Sequence, residues 1–308
     1  MKKKEFFNKD LLPIRQEKLF LYDQYFKLFA KLYKNNLLPN KILLTGQSGL
    51  GKSTFAYHFI NFILSDKEDY PYDFMNFTIN SLNRSFLLIN QKYHPNFFLI
   101  ENFNDKQIID IKQVKNMIAF VNKTSYEKKI KFILIDNAEY LNLSSVNALL
   151  KIVEEPPSNT FIIFVHNSSV KLIETLKSRC IEFKIFFSNH EKQIILKNLL
   201  TYHDLKIDIN LLEKIKSFYD SPGIILSLIK LINEGVIDMN NPNLISVITN
   251  LMEFILKNKN NTNLNLLQNA IELFFFQELK KTNNKKKNII KLLKSFKKFK
   301  FSNIFCFS

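Results

Sequence analysis

The apolar run KILLT at 41–45 is followed by the segment Gly46-Gln47-Ser48-Gly49-Leu50-Gly51-Lys52-Ser53. This segment satisfies the pattern G-x-x-x-x-G-K-S/T in full, between a predicted strand and a predicted helix, which is the context that a phosphate-binding loop requires. In such a loop, backbone amides and the N-terminus of the helix point at phosphate oxygens. Three of the chain's five glycines lie here, so a glycine-poor chain keeps glycine where close backbone approach requires it.

The residues of this loop have separate expected roles. Lys52 is expected to reach the beta and gamma phosphates of a nucleotide, and the Ser53 hydroxyl to hold Mg²⁺. A later apolar run ends at Asp136, where proteins with this loop place the carboxylate associated with magnesium. The expected ligand is therefore ATP or ADP with Mg²⁺. The residues assigned to nucleotide binding are Gly46, Gln47, Ser48, Gly49, Leu50, Gly51, Lys52, Ser53, Thr54 and Asp136.

The residue after Asp136 limits the chemistry expected at this site. ATP-hydrolysing proteins of the AAA+ class normally have a glutamate there, which polarises the attacking water. In this chain the position is Asn137, and an amide cannot accept a proton. Glu139 lies two residues further on and is expected to point elsewhere. The sequence therefore predicts nucleotide binding without efficient hydrolysis.

Short apolar runs alternate with helical patterns over residues 1–187. The runs are continuous rather than alternating, which is typical of strands buried on both faces. Five of them with intervening helices predict an α/β domain with a five-stranded parallel sheet. The runs are KILLT at 41–45, FFLIE at 97–101, KFILID at 131–136, FIIFV at 161–165 and IEFKI at 181–185.

Only helical patterns follow residue 187. Ser221-Pro222-Gly223 begins a helix within 188–238, and MNNPN at 239–243 has the composition of a linker. The predicted organisation is a P-loop domain, a small helical lid domain and an all-α collar domain for oligomerisation. These domains are placed at 1–187, 188–238 and 239–308.

The run IDNAEYLNLSSVNALLKIVEEPPSNTFIIFV at 135–165 resembles the AAA+ subunits of bacterial DNA polymerase III clamp loaders. The resemblance rests on its NALLK and EEPP segments and on Ser178-Arg179-Cys180 downstream, and it covers about residues 15–235. It implies a hetero-oligomer with gamma/tau and delta subunits. It also implies contact with the sliding clamp and with primed DNA through that complex. His166-Asn167 lies in the neighbourhood that senses nucleotide in this family, with a simple polar loop as the alternative.

The same resemblance implies a catalytic role for Arg179, in trans. In the ring-like pentamers of this family, the arginine of the Ser-Arg-Cys motif reaches the neighbouring subunit's ATP as an arginine finger. Such a finger is worth roughly 10³–10⁵ in rate. Its planar, permanently charged fork is not reproduced by lysine. The alternative is a surface arginine that ends a helix.

Three departures from the hydrolysing gamma/tau subunits favour the delta-prime branch of the family. Asn137 replaces the glutamate, and Ile224 stands where a second-domain arginine is expected. Cys180 and Cys306 are the only cysteines, so no four-cysteine zinc site is expected. The complete phosphate loop points the other way, because some delta-prime subunits have lost it. A gamma/tau-like motor ATPase therefore remains the alternative. A P-loop small-molecule kinase would leave the NALLK and Ser-Arg-Cys segments unexplained.

The formal net charge of +16 is open to two interpretations. It indicates a nucleic-acid partner, or it reflects a composition drifted towards Lys, Asn, Ile and Phe. The basic segment at 280–300 is expected to be a collar helix with a solvated lysine face, with direct contact to DNA phosphates as the alternative. The sequence has no apolar run of 18 residues and no signal-peptide pattern, which predicts a cytoplasmic protein without a membrane partner.

Overall fold

A computed structural model of the chain describes residues 9–102, 108–123 and 130–235, together with 250, 252 and 253. Its described residues fall into two compact units. The first holds the described residues up to 202 and also 221–223, and the second holds 203–220 and those from 224 onwards. The basic segment at 280–300 lies outside the described residues. So does the rest of the predicted collar, apart from residues 250, 252 and 253. The three-domain division stays a prediction.

The first unit contains the predicted five-stranded parallel sheet, in the order β2-β3-β4-β1-β5. In register, Leu44 of the first strand lies opposite Val165 on one side and Phe183 on the other. The first strand therefore lies inside the sheet, and its carboxyl end carries the phosphate loop. The strands are β1 (Lys41–Gly46), β2 (Phe97–Ile100), β3 (Lys131–Ile135), β4 (Thr160–Asn167) and β5 (Ile181–Lys184).

Helices precede or connect these strands much as the sequence predicts, with one addition. The helices of the described residues are α1 (Asp23–Lys34), α2 (Lys52–Leu64), α3 (Arg84–Asn90), α4 (Ile111–Asn122), α5 (Leu143–Glu154), α6 (Glu174–Lys177), α7 (Asn189–Tyr202), α8 (Ile209–Phe218) and α9 (Pro222–Asn233). The addition is α3, a short helix whose Asn83 side chain accepts a hydrogen bond from the Phe86 amide at 2.6 Å. Among the described residues, no helix is both long and apolar enough to cross a bilayer.

Two hydrophobic cores cover the two faces of the sheet. Successive strand residues point to opposite faces, so Leu44 and Phe132 enter the core that contains α1 and α2, whereas Leu43 and Ile133 enter the core that contains α4 and α5. Both faces are buried, which explains why the strands appear in the sequence as continuous apolar runs.

An aromatic cluster centred on Phe26 fixes α1 against α2. Phe26 is fully buried, and its ring contacts six others at centroid distances of 5.1 to 6.0 Å. Aromatic pairs in this range contribute beyond the area they bury. The cluster therefore holds the helix that follows the phosphate loop. The six rings are those of Phe55, Phe59, Phe62, Tyr72, Phe74 and Phe77.

Phe26→Ala is expected to lower the free energy of unfolding of the first unit by about 3–5 kcal/mol, because it removes a fully buried ring and leaves a cavity. Leu28→Ala on the same helix is the control, since Leu28 is 44% exposed, and it should change that energy by less than about 0.5 kcal/mol. Urea unfolding followed by circular dichroism measures both. Equal losses for the two variants would contradict the proposed importance of the cluster.

Candidate nucleotide-binding site

The phosphate loop leaves β1 at Gly46 and enters α2 at Lys52. Gly49 and Gly51 have φ angles of 76° and 89°, in the left-handed region where a side chain is strained. At Gly46 a Cβ atom would lie 2.5 Å from the carbonyl oxygen of Ile185. Each glycine of the loop thus meets a geometric requirement, and the resulting turn aims the N-terminus of α2 at the carboxyl edge of the sheet.

Lys52 is folded back over the loop that precedes it. Its Nζ donates hydrogen bonds to the carbonyl oxygens of Gly46 and Gln47, at 2.7 Å each. Burial lowers the pKa of Lys52 to about 8, although the charges of Asp136 and Glu139 act in the opposite direction. The ammonium group is therefore still largely protonated at neutral pH, where a phosphate would compete with two carbonyl oxygens for it.

Ser53 and Asp136 join α2 to the end of β3. The Ser53 hydroxyl donates to Asp136 Oδ1 at 2.7 Å. Burial raises the pKa of Asp136 to about 6, and the hydrogen bond from Ser53 opposes that rise. A hydroxyl and a carboxylate are oxygen ligands of the kind that Mg²⁺ prefers, and Mg²⁺ usually completes its shell with water and phosphate. These residues fit a magnesium–nucleotide complex.

The described residues contain no cluster of His, Cys, Asp and Glu side chains that could hold a metal ion by itself. A magnesium ion at Ser53 and Asp136 would therefore depend on phosphate oxygens as ligands. The sequence-based assignment of Mg²⁺ through the nucleotide stays a prediction.

Asn137 adopts a left-handed conformation directly after Asp136, with φ and ψ both at 56°. Asparagine is one of the few residues besides glycine that tolerate this region. Its backbone amide donates to Asp136 Oδ1 at 3.0 Å, and its side-chain nitrogen lies 3.5 Å from Asn102 Oδ1. The residue next to Asp136 is thus an asparagine whose amide faces the amide of Asn102, and neither amide can act as a general base.

Glu139 reaches the end of β4, a contact that the sequence analysis missed. Its Oε2 accepts a hydrogen bond from the backbone amide of Asn167 at 3.2 Å. Burial raises the pKa of Glu139, while the Lys52 charge lowers it. Glu139 therefore contributes charge to the surroundings of Lys52 and fixes Asn167, the last residue of β4. The family resemblance implies either nucleotide sensing or a simple polar loop at this position. The location of Glu139 two residues after Asn137 gave no signal of this contact.

Arg179 lies between α6 and β5, and its hydrogen bonds go to residues other than those of the phosphate loop. Its Nε and Nη2 contact Glu154 Oε1 at 2.8 and 2.7 Å, and its Nη1 donates to the carbonyl oxygen of Thr175 at 2.8 Å. The side chain is about a third exposed. Burial raises the pKa of the adjacent Cys180 to about 11, so that thiol stays protonated and unreactive. The structure thus brings together the loop, Ser53 and Asp136, but not Arg179.

A phosphate loop after β1, a carboxylate at the end of β3 and a parallel sheet in this strand order define a P-loop domain of the AAA+ class. The chain belongs to the family described as "DNA polymerase III, delta subunit", which matches residues 22–188, more than half of its length. This match confirms the resemblance to clamp-loader subunits that the NALLK, EEPP and Ser-Arg-Cys segments indicate.

Individual relatives agree with the family. The DNA polymerase III subunit delta' of Pseudomonas aeruginosa is 29% identical over 140 residues, which are 46% of this chain and 41% of that protein. The subunit delta' of Buchnera aphidicola subsp. Schizaphis graminum is 26% identical over 197 residues, with coverages of 64% and 57%. The matches therefore span about half the length of these relatives.

A gamma subunit-related protein of DNA polymerase III from Thermotoga maritima aligns with a TM-score of 0.45 and 14% identity. The alignment covers 89% of this chain and 93% of that one.

Asp136→Asn tests the buried carboxylate. The pKa of Asp136 is about 6 in the folded chain against an ordinary value of 3.8, so ionisation destabilises the fold increasingly as the pH rises through 6. The amide oxygen can still accept from Ser53. The stability of the variant relative to the native chain should therefore increase by about 1 kcal/mol between pH 5 and pH 8.

Urea unfolding at the two pH values measures this difference. Asp66→Asn is the matched control, because Asp66 is exposed, and its stability difference should not depend on pH in this way. A pH-independent difference for Asp136→Asn would show that the carboxyl is not buried as the structure has it.

Proposed function

We propose that this chain is the delta-prime stator of a cytoplasmic DNA polymerase III clamp loader. It assembles with gamma/tau and delta subunits and supports ATP-dependent loading of the sliding clamp on primed DNA. It binds ATP or ADP with Mg²⁺ through residues 46–54 and Asp136, hydrolyses it poorly, and supplies Arg179 to a neighbouring ATPase subunit. The observation that carries the proposal is a complete phosphate loop beside Asn137, in a chain of this family.

The geometry around Asn137 supports binding without efficient hydrolysis. Hydrolysis requires a group that orients and deprotonates the attacking water, whereas binding requires only the loop amides, Lys52 and the Ser53–Asp136 pair. The groups that binding requires are present, and Lys52 and Ser53 each make a hydrogen bond of 2.7 Å. A group that could deprotonate water is missing next to Asp136, where Asn137 carries an amide. The carboxylate of Glu139 accepts a hydrogen bond from the Asn167 backbone instead.

The surroundings of Arg179 support a role outside its own chain. Its guanidinium is held by a single oxygen of Glu154, whose side chain is 50% exposed, and by one backbone carbonyl. Exposed ion pairs contribute only about 0–1 kcal/mol, so release of the arginine costs little. A phosphate group, with its higher charge and bidentate geometry, is the stronger partner for a planar guanidinium. Arg179 is therefore suited to transfer from Glu154 to a neighbour's nucleotide.

One observation favours the alternative, a motor ATPase of the gamma/tau kind. The phosphate loop is complete, Lys52 contacts its Gly46 carbonyl oxygen, and Ser53 donates a hydrogen bond to Asp136. A motor of this kind would still need another base in place of Asn137. The two hypotheses predict different turnover by the isolated chain.

The isolated full-length chain is expected to bind Mg–ADP and Mg–ATP without substantial turnover. Lys52→Met should abolish binding, because it removes the charge that spans the loop. Lys41→Met is the control, because it changes a lysine on β1 outside the loop. Equilibrium binding of a fluorescent nucleotide and a steady-state phosphate-release assay, with and without primed DNA, measure the two properties. Vigorous DNA-stimulated turnover by the chain alone would overturn the stator role and favour the motor.

Arg179→Ala, in a complex reconstituted with gamma/tau, delta and clamp, should abolish ATP hydrolysis at one neighbouring site while assembly survives. A finger contributes roughly 10³–10⁵ in rate, so single-turnover hydrolysis should lose the phase that belongs to that site. Arg179→Lys should also fail, because lysine lacks the planar fork. Arg84→Ala is the control, since Arg84 is an exposed arginine elsewhere. Unchanged turnover with Arg179→Ala would remove the assignment.

A further inference from the structure

Residues 221–223 contact the phosphate loop within the first unit. The Ser221 hydroxyl donates to the carbonyl oxygen of Ser48 at 2.6 Å, and the Gly223 amide donates to the carbonyl oxygen of Gly49 at 2.9 Å. Ser221 is 1% exposed. Two neighbouring loop carbonyls thus have donors that lie more than 170 residues away in the chain.

The contact at Gly223 depends on the absence of a side chain. A Cβ atom there would lie 2.7 Å from the Gly49 carbonyl oxygen and 3.3 Å from its carbonyl and α carbons. Those neighbours are backbone atoms of the loop and cannot move aside without changing its shape. Two of the chain's five glycines therefore meet backbone to backbone at this point.

A third donor continues the series on the next loop residue. The Tyr22 hydroxyl donates to the Leu50 carbonyl oxygen at 2.9 Å. The Tyr22 ring is buried and stacked on Phe55 of α2, with ring centroids 5.1 Å apart. With Lys52 on the carbonyls of residues 46 and 47, five consecutive carbonyls of the loop accept hydrogen bonds.

The direction of these bonds determines the direction of the loop amides. In a planar trans peptide the C=O of one residue and the N–H of the next point in opposite directions. Bonds from outside the loop to the carbonyls of Ser48, Gly49 and Leu50 therefore turn the following three amides towards its concave side. Successive amides on one side form the anion-binding surface that a phosphate loop uses.

We propose that Ser221 and Gly223 are positioning residues, which hold the phosphate loop in its phosphate-binding shape whether or not nucleotide is bound. Tyr22 does the same from the other end of the loop. The proposal deepens the nucleotide binding proposed above and rests on it for its functional consequence. The contact itself does not depend on a nucleotide, so the two can be tested separately.

Hydrogen exchange of the Gly223 amide in the nucleotide-free, full-length chain tests the contact. Amides in the first turn of a helix have no partner within the helix, so protection of this amide reports its bond to Gly49. The amide should exchange measurably more slowly than an unprotected one, and Ser221→Ala should raise its exchange rate roughly fivefold, the effect of one lost hydrogen bond. Unprotected exchange in the native chain would overturn the proposal.

Affinity for Mg–ADP tests the consequence. Ser221→Ala and Tyr22→Phe each remove one donor and should weaken binding roughly fivefold. Gly223→Ala should weaken it at least as much, because its Cβ atom would displace the loop. The controls are Ser81→Ala at an exposed position, and Gly235→Ala, where a Cβ atom meets nothing within 4 Å although φ is 69°. Both controls should bind as the native chain does.

Thermal unfolding separates a positioning role from a general loss of stability. Tyr22→Phe keeps the buried ring and loses one hydrogen bond, so its melting temperature should fall by only about 2–4 °C. Native affinity in Ser221→Ala and Tyr22→Phe would overturn this proposal and leave nucleotide binding standing. A native chain that binds no Mg–ADP would overturn both.

Discussion

The junction between β1 and α2 is the constraint on which the site depends. The strand ends at Gly46 and the helix begins at Lys52, so the loop between them must turn within five residues. β1 is fixed because it pairs with β4 and β5, and α2 is fixed because its Phe55 and Phe59 rings enter the aromatic cluster. With both ends held, the loop has little freedom, and positive φ angles at its glycines allow the turn without strain.

The same burial gives the site its electrostatic character. Desolvation lowers the pKa of Lys52 and raises that of Asp136, which means that both groups are less stable as ions here than in water. A magnesium–nucleotide complex carries charges of both signs and can satisfy both groups at once. The arrangement therefore favours a ligand that brings phosphate to Lys52 and a cation to Asp136. In the proposed function, Asn137 does not weaken nucleotide binding, because the glutamate that it replaces would act only on the attacking water.

The sequence predicts what depends on local pattern, and misses what depends on distant contacts. The five strands and the loop are visible because strands buried on both faces are continuous apolar runs and the loop has a fixed motif. The helix α3 is missed because it has only seven residues and depends on its Asn83 cap. The strand order, with β1 between β4 and β5, follows from packing that no local pattern records. The same holds for the hydrogen bonds from residues 221–223 to the loop. The sequence shows a glycine at position 223, but not that this glycine contacts Gly49.

A loop that binds nucleotide without cleaving it has a thermodynamic consequence for a subunit of an assembly. A ligand that binds only the folded state stabilises that state by about 2.7 kcal/mol at a concentration one hundred times its dissociation constant. A motor subunit loses this stabilisation when it releases its products in each cycle, whereas the proposed stator keeps its nucleotide. In the proposed function, the nucleotide stays bound to the first unit through the phosphate loop, Lys52 and Asp136. The role proposed for Arg179 benefits from rigidity in that unit, because a guanidinium that is already in position stabilises a transition state most effectively.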